Sequence, residues 1–283
     1  MPVETAYAKV NLALHVRVRR ADGYHALESL FAFCADGDRL TAEARDDGAL
    51  TLSITGPFGA ALGTDDDNLV LRAARALRDA AGIETGIGAG AALTLDKRLP
   101  IASGIGGGSA DAAAALRLLM RLWDIDPAAI DLSAIAQGLG ADVPACLGSV
   151  TVFGEGVGER LRPVDAPVDA RIGGTCILLV NPLVACPTGP VFRAWDGVDR
   201  GALSPDGWRA GRNDLQPPAL TLVPEIAAVL AALEALPGAT VPRMSGSGAT
   251  CFALFADECA RDRAQEAIRT DHSGWWTLGS ILR

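Results

Sequence analysis

Apolar and polar residues alternate along the first segment, from Tyr7 to Val18, in the pattern of a β-strand with one buried face. The other face carries Lys9 and Asn11, which lie about 7 Å apart on a strand that rises roughly 3.3 Å per residue. Taken alone, the pattern predicts that this second face is solvated. The apolar face comprises Val10, Leu12, Leu14, Val16 and Val18.

The following segments predict a mixed N-terminal sheet with helices, interrupted by turns such as the one at 20–23. The helix that starts at residue 69 follows Asn68, a favourable N-cap residue. A second pattern places Asp142 on a turn, after a helix that Gly140 and Pro144 end. The predicted strands are 24–33, 39–44, 50–55, 91–97 and 146–153, and the predicted helices are 69–81, 108–123 and 133–139.

A glycine-rich loop at 154–159 and a linker at 163–174 divide the chain into predicted domains at 1–160 and 161–283. Strands and helices alternate in the second domain, which predicts an α+β sandwich. The small-residue loop 245–249 lies between two of these elements and, taken alone, is an ordinary tight connection. The predicted strands are 176–180, 250–255 and 275–282, and the predicted helices are 191–195, 224–236 and 258–269.

The loop 99–111 joins a predicted strand to a predicted helix and contains four glycines in five positions. Glycine-rich backbone lets successive amides converge on an anion, and the amides at a helix N-terminus add to that site. The loop therefore predicts a phosphate cradle, although a flexible hinge has a similar composition. Ser109 occupies the third glycine position of the dinucleotide fingerprint, and no Gly-Lys-Ser/Thr of a Walker loop exists. A dehydrogenase is therefore disfavoured.

The net charge of −9 argues against nucleic acid or an anionic membrane as a partner of the whole protein. The N-terminus resembles no leader, and no apolar run reaches about 18 residues, so we expect a soluble cytoplasmic protein. The six cysteines have no metal-binding or disulfide spacing, and we expect buried thiols. Three histidines without a cluster argue against zinc, whereas Mg²⁺ held by carboxylate or phosphate stays compatible. Lys9 and Lys97 are the only lysines among 25 cationic residues.

Three separated segments together resemble the galactokinase, homoserine kinase, mevalonate kinase and phosphomevalonate kinase superfamily. They are 8–12 in the first strand, the central loop 100–110 and the late loop 245–249. Segments 21–25, 139–144 and 213–215 resemble one branch, whose substrate is a cytidine diphosphate ester of a sugar alcohol. The resemblance implies a ribosomal protein S5 domain 2-like N-terminal lobe and a ferredoxin-like C-terminal lobe.

The resemblance also implies ATP and Mg²⁺ as cofactors. Asp142 is then the base that accepts the proton of the acceptor hydroxyl, and Lys9 orients this base and offsets phosphoryl charge. Ser109 would lie near Mg²⁺, while Ala110 replaces a second serine common in the family. Asn68 and Lys97 resemble positions near the adenine. The loop residues that would bind the ATP phosphates are Pro100, Gly104, Ile105, Gly106, Gly107, Gly108, Ser109 and Ala110.

For the substrate, the resemblance implies that Tyr24, His25 and Phe192 hold the cytosine base, by stacking and by a hydrogen bond to its edge. Asn11 would bind the substrate near Lys9. The residues expected near the diphosphate are Ser245, Gly246, Ser247 and Gly248. Two alternatives stay open: a mevalonate or homoserine kinase, which needs no aromatic base clamp, and a regulator of the same fold that binds nucleotide without turnover.

Overall fold

The computed structural model describes residues 2–83 and 88–283. Two long strands, β1 (Val3–Arg19) and β2 (His25–Arg45), each run through both of the units into which the contacts divide the chain. The domain boundary predicted at residue 160 stays a prediction. The described residues of unit 1 fall within Met1–Ala8, Asp36–Ile101 and Gly106–Gly148, and those of unit 2 within Lys9–Ala35, Ala102–Ile105 and Ser149–Arg283.

In unit 1, strands and helices place the central glycine loop at the end of a buried strand. β3 (Leu50–Thr55) lies parallel to β4 (Gly90–Asp96), and β4 pairs with the C-terminal half of β2 in the antiparallel sense. α1 (Leu69–Ala80) connects β3 to β4 and begins at Asn68, whose side chain accepts a hydrogen bond from the Val70 amide. This N-cap is the one predicted from the sequence.

The loop after β4 continues into α2 (Gly107–Leu122), which packs against α1. Small side chains allow this close packing, since the alanines in 112–115 are fully buried. α3 (Leu132–Leu139) packs on α1, and α4 (Val143–Gly148) packs on α2. These helices pack around α2, the helix of the strand–loop–helix segment that the sequence predicts to bind phosphate.

Unit 2 contains the hairpin β5 (Val152–Gly156) and β6 (Arg160–Pro163), which pairs with the N-terminal half of β2. The glycine-rich segment 154–159 therefore belongs to a hairpin, so the expectation of an irregular loop is wrong for residues 154–156, which lie in β5. The segment expected to be a linker contains a short helix, α5 (Ala166–Ala170).

The rest of unit 2 follows the β-α-β-β-α-β order of a ferredoxin-like fold. Its four strands are antiparallel in the spatial order β10, β7, β9, β8, and α8 and α9 connect pairs of them. This arrangement confirms the predicted α+β class. The elements are β7 (Cys176–Asn181), α6 (Thr188–Arg193), α7 (Gln216–Leu222), α8 (Glu225–Ala235), β8 (Thr240–Met244), β9 (Cys251–Phe255), α9 (Glu258–Asp271) and β10 (Trp276–Ile281).

None of the helices within residues 2–83 and 88–283 is long and apolar enough to cross a membrane. All six cysteines are described and none forms a disulfide; five are buried as predicted, while Cys259 is exposed. The expectation of buried thiols is therefore wrong for Cys259, which lies in the first turn of the surface helix α9.

Candidate active site

The central loop ends at a helix N-terminus that is open to an anion. Gly106 is the N-cap of α2 in a left-handed conformation, with φ +65°. The first hydrogen bond of the helix runs from the Ala110 amide to the Gly106 carbonyl at 2.8 Å. Helix geometry leaves the amides of Gly107, Gly108 and Ser109 without a carbonyl partner inside the helix. The segment therefore offers convergent N–H donors and the positive end of a helix dipole.

Side-chain burial separates the loop residues into two groups. Ile105 and Ala110 are buried at 0% and 2% exposure, and Pro100 is buried as well. Gly108 is exposed and Ser109 is partly exposed, so the Ser109 hydroxyl is accessible in the first helical turn. The Ala110 methyl group is buried, and the Ala110 backbone amide forms the first hydrogen bond of the helix.

Gly104 adopts φ +77° and approaches the late glycine loop closely. A Cβ atom at residue 104 would lie 2.5 Å from the Ser245 carbonyl oxygen and 2.7 Å from that of Gly248. The Ser245 hydroxyl donates to the Gly104 carbonyl at 3.0 Å and accepts from the Asn11 amide at 3.1 Å. Within unit 2, the Ser245 hydroxyl thus joins Gly104, the loop 245–249 and β1. Ser245 is fully buried, and its predicted contact with substrate stays a prediction.

Asn213 and Thr188 also hold the late loop in unit 2. The Asn213 side-chain amide donates to the carbonyls of Met244 and Gly246, at 2.7 and 2.8 Å. The hydroxyl groups of Ser247 and Thr188 lie 2.8 Å apart. Segment 213–215 was noticed only through the family resemblance, because contacts across about 30 residues of sequence leave no local pattern. These contacts fix the backbone of a loop that lacks regular secondary structure.

The Lys97 ammonium lies directly beneath the start of α2 in unit 1. It forms ion pairs with Asp38 at 2.5 Å and with Asp111 at 2.6 Å, and all three side chains are buried. Asp38 also accepts from the amides of Arg98 and Leu99. A Cβ atom on Gly107 would lie 3.1 Å from Lys97 Nζ. Lys97 therefore packs against the first turn of α2 and stabilises it. Its position near the adenine stays a prediction.

Burial controls the charges of this ion-pair cluster. Burial alone would lower the pKa of Lys97, but Asp111 and Asp38 outweigh it and raise that pKa. Burial and the neighbouring Asp38 carboxylate raise the pKa of Asp111 to about 7, although Lys97 opposes the shift. Asp111 Oδ1 has no hydrogen-bond partner among the described residues. The sequence pattern assigned no role to either aspartate: Asp38 belongs to no motif, and Asp111 ends the loop 99–111 without a predicted contact.

Lys9 and Asn11 lie side by side on β1 in unit 2, as the strand spacing predicts. Lys9 Nζ donates to Asn11 Oδ1 at 3.2 Å and lies 4.7 Å from the centre of the Phe31 ring. The Asn11 side-chain amide donates to the Ser29 hydroxyl at 2.7 Å. Lys9 is 4% exposed and Asn11 is 2% exposed. The expectation of a solvated face is therefore wrong, because Ser29 and Phe31 of β2, the strand that pairs with β1, contact these side chains.

Asp142 immediately precedes α4 in unit 1. Its carbonyl accepts a hydrogen bond from the Cys146 amide at 3.1 Å, and the residue is partly exposed. Pro144 lies in the first turn of that helix, where proline is tolerated because its missing N–H has no partner there. The predicted end of the preceding helix at Leu139 is confirmed, but Pro144 also lies in a new helix that the sequence pattern did not predict. Lys9 and Asp142 fall in different units, and their catalytic pairing stays a prediction.

An aromatic cluster in unit 2 surrounds His25. The centres of the His25 and Phe192 rings lie 5.2 Å apart, and the Trp195 ring meets His25 edge-on at 5.7 Å. His25 is 6% exposed, whereas the neighbouring Tyr24 is 63% exposed. The structure thus brings His25 and Phe192 together from segments more than 160 residues apart. Trp195 was missed, because a lone tryptophan at the end of a short helix gives no sequence signal.

The sequence of the chain matches a known protein family. Residues 68–149 match the GHMP kinases N terminal domain and residues 199–273 match the GHMP kinases C terminal domain. The chain is 54% identical to a 4-diphosphocytidyl-2-C-methyl-D-erythritol kinase from Rhizorhabdus wittichii, covering 100% of this chain and 95% of that protein. It is 52% identical to the kinase of the same name from Novosphingobium aromaticivorans, covering 99% and 92%.

A solved structure agrees with these relatives. The crystal structure of a 4-(cytidine 5'-diphospho)-2C-methyl-D-erythritol kinase superposes with a TM-score of 0.81 at 36% identity, covering 99% of both chains. The fold and the glycine-rich helix N-terminus therefore belong to a GHMP kinase, an ATP-dependent small-molecule kinase. Within that class, the chain belongs to the 4-diphosphocytidyl-2-C-methyl-D-erythritol kinase family.

Proposed function

We propose that the protein transfers the γ-phosphoryl group of ATP to the C2 hydroxyl of 4-diphosphocytidyl-2-C-methyl-D-erythritol. The product is the 2-phosphate, an intermediate of the non-mevalonate route to isoprenoid precursors. The observation that carries this choice within the kinase family is the aromatic cluster at His25, with Phe192 at 5.2 Å and the exposed Tyr24 beside it. Mevalonate and homoserine have no aromatic base for such a cluster to hold.

ATP binding is assigned to the central loop. The backbone amides of Gly107, Gly108 and Ser109 donate hydrogen bonds to phosphate oxygens, because they have no carbonyl partner within the helix. Gly106, Gly107 and Gly108 carry no side chains, so this part of the loop can present its backbone to the nucleotide phosphates. Asn68 and Lys97 are assigned to positions near the adenine. Lys97 in addition supports the start of α2 at Gly107, on the phosphate side.

The protein residues supply positioning and charge for the transfer. The transition state of phosphoryl transfer is loose, so electrostatic stabilisation contributes more than the strength of the base. Asp142 accepts the proton of the C2 hydroxyl as that oxygen bonds to the γ-phosphorus. The bond from the γ-phosphorus to the bridging oxygen breaks, and ADP leaves. Lys9, held by Asn11 at 3.2 Å, offsets negative charge on the transferred group.

Mg²⁺ fits this site as an ion that ATP carries. Among residues 2–83 and 88–283, no group of three acidic, histidine or cysteine residues could hold a metal. The Ser109 hydroxyl, partly exposed in the first turn of α2, is a suitable single oxygen ligand. Mg²⁺ commonly takes only one or two protein ligands when phosphates and water supply the rest. When bound, it neutralises charge on the phosphate oxygens.

Product analysis tests the proposal. The protein is incubated with ATP, Mg²⁺ and the cytidyl substrate, and in parallel with mevalonate and homoserine, and products are followed by phosphorus NMR. We expect one new phosphomonoester, coupled to the carbon framework at C2, from the cytidyl substrate alone. A product from mevalonate or homoserine would overturn the substrate assignment. Binding of ATP without any product would instead support the nucleotide-binding regulator.

A further inference from the structure

The guanidinium group of Arg19 connects three segments of unit 2 at His25. Arg19 Nε donates to His25 Nε2 at 3.1 Å. Arg19 Nη2 donates to the carbonyls of Arg193 and Trp195, at 3.1 and 3.4 Å. One side chain thus joins the end of β1, the start of β2, and the end of α6 with the turn that follows it. The direction of the first bond determines the chemistry of the imidazole.

A guanidinium group has only donors and keeps its charge at any pH that the protein meets. His25 Nε2 must therefore be the acceptor, which leaves the proton on Nδ1. Burial and the charge of Arg19 both lower the pKa of His25, so the ring stays neutral. Among the described residues, none forms a hydrogen bond with His25 Nδ1. The ring thus has one nitrogen engaged with protein and one N–H available to a ligand.

The neighbouring rings fix the direction of that N–H. Phe192 lies tilted by 38° to the imidazole, and Trp195 meets it edge-on at 84°. Trp195 is 4% exposed, so it cannot turn away without opening the core. Because Arg19 also holds the Trp195 carbonyl, the same side chain sets both the tautomer of His25 and the wall against which it packs.

We propose that Arg19 is a positioning residue that fixes His25 as the Nδ1–H tautomer and thereby selects cytosine over uracil. This inference rests on the proposed function, in which His25 meets the pyrimidine. The ring nitrogen N3 of cytosine is an acceptor and complements an Nδ1–H donor. The same position of uracil carries a hydrogen, so the two donors would face each other. A site built around a buried hydrogen bond rejects an analogue that cannot form it.

Three variants separate this role from simple loss of charge. Arg19→Met removes the donors and the charge but keeps an apolar stem, and Arg19→Lys keeps the charge. Arg20→Met is the matched control, because the Arg20 guanidinium pairs with Asp22 at 2.8 Å on the surface. Thermal unfolding of each variant is measured first, so that kinetic effects are compared among folded proteins.

The first readout is the tautomer itself. Nitrogen-15 NMR of the imidazole rings is recorded for the wild type and each variant, and a His25→Gln spectrum assigns the His25 signals. We expect a neutral Nδ1–H ring in the wild type and in Arg20→Met, and a shift of protonation toward Nε2 in Arg19→Met. A wild-type ring with its proton on Nε2, or an unchanged tautomer in Arg19→Met, would overturn the role of Arg19.

The second readout is base selection in the kinase assay, with the cytidyl substrate and its uridyl analogue. In Arg19→Met we expect KM for the cytidyl substrate to rise about tenfold, the worth of one hydrogen bond. The preference of Arg19→Met for the cytidyl substrate over the uridyl analogue should fall by a similar factor. Its kcat and its KM for ATP should change little. Arg19→Lys should recover part of the preference for the cytidyl substrate. Equal losses for both substrates and for ATP would contradict base selection. Lack of product with wild-type protein would overturn the proposed function, independently of the tautomer result.

Discussion

The surroundings of Lys9 and Asn11 depend on the neighbouring strand β2, which pairs with β1. Their spacing on β1 follows from strand periodicity, and the contact of 3.2 Å between their side chains agrees with it. Their burial could not be predicted, because it depends on Ser29 and Phe31 of the next strand. Gly154 contributes as well, since a Cβ atom there would lie 2.3 Å from the Phe31 ring. Because the Asn11 side chain holds the buried Lys9 ammonium in place, this ammonium is suited to interact with one charged group.

The role of Asp142 predicts a selective loss of turnover. Asp142→Asn removes the proton acceptor but not the phosphate cradle, so kcat should fall at least about 100-fold while the Kd for ATP stays within about twofold. Asp131→Asn is the matched control, because Asp131 caps α3 and asparagine caps equally well. Steady-state kinetics and ATP titration check both variants. Wild-type turnover in Asp142→Asn would contradict the assignment of the base.

The ion-pair cluster at Lys97 predicts a pH effect on stability. The pKa of Asp111 is about 7 in the folded protein, against an ordinary value of 3.8. Between these values the folded protein holds a proton that the unfolded chain has lost, so the free energy of unfolding decreases as the pH rises toward 7. Above pH 7 both states are ionised and the trend ends.

Urea unfolding of the wild type and of Asp111→Asn at pH 5 and pH 8 isolates this contribution. We expect the free energy of unfolding of the wild type, minus that of the variant, to be larger at pH 5 than at pH 8. The difference should exceed about 1 kcal/mol. A difference between the two proteins that does not change with pH would show that the Asp111 carboxyl does not take up a proton on folding.

At the scale of elements, local patterns predicted β3 and the starts of α1 and α9 at the residues where they occur. They failed at β2, which was predicted as two strands around Gly37 but is one strand. A Cβ atom at Gly37 would lie 1.9 Å from the Ala6 carbonyl oxygen, so this glycine allows a close approach rather than a turn.

Short elements were the other source of error. The segment 146–153, predicted as a strand, contains the end of α4 followed by the start of β5. α7 and β8 were not predicted, because elements of seven and five residues contain too few positions for a period to appear. β8 in addition contains Val241 at φ +53°, which interrupts the regular alternation of an extended strand.

The contact between the two glycine loops predicts a strong effect at Gly104. Gly104→Ala would place Cβ 2.5 Å from the Ser245 carbonyl at a φ of +77°, so the loops must separate. We expect the free energy of unfolding to fall by about 2–4 kcal/mol and ATP binding to weaken. Gly138→Ala, in α3 with no atom within 4 Å of its Cβ position, should leave both unchanged or stabilise the helix. Thermal unfolding with and without ATP measures both; equal behaviour of the two variants would contradict the close approach.

At the scale of the whole molecule, the three resembling segments identified the family because they occurred together. Each alone has an ordinary explanation, as a strand, a hinge or a turn. The full-length relatives and the ferredoxin-like topology of unit 2 confirm the identification. What the sequence could not provide are the distant supports of the site: Asn213 on the late loop, Asp38 and Asp111 on Lys97, and Arg19 on His25. The cytoplasmic location and the exclusion of nucleic acid stay predictions.

The measurement that tests the account most directly compares two acceptors in the same kinase assay. One is the intact cytidyl substrate, and the other is the methylerythritol phosphate fragment that remains after the cytidine monophosphate half is removed. If the cluster at His25 and Phe192 holds the base, kcat/KM should fall at least about 100-fold for the fragment, since binding energy from the remote part of the substrate is lost. Equal kcat/KM values for the two acceptors would contradict recognition of the nucleoside, and with it the proposed substrate.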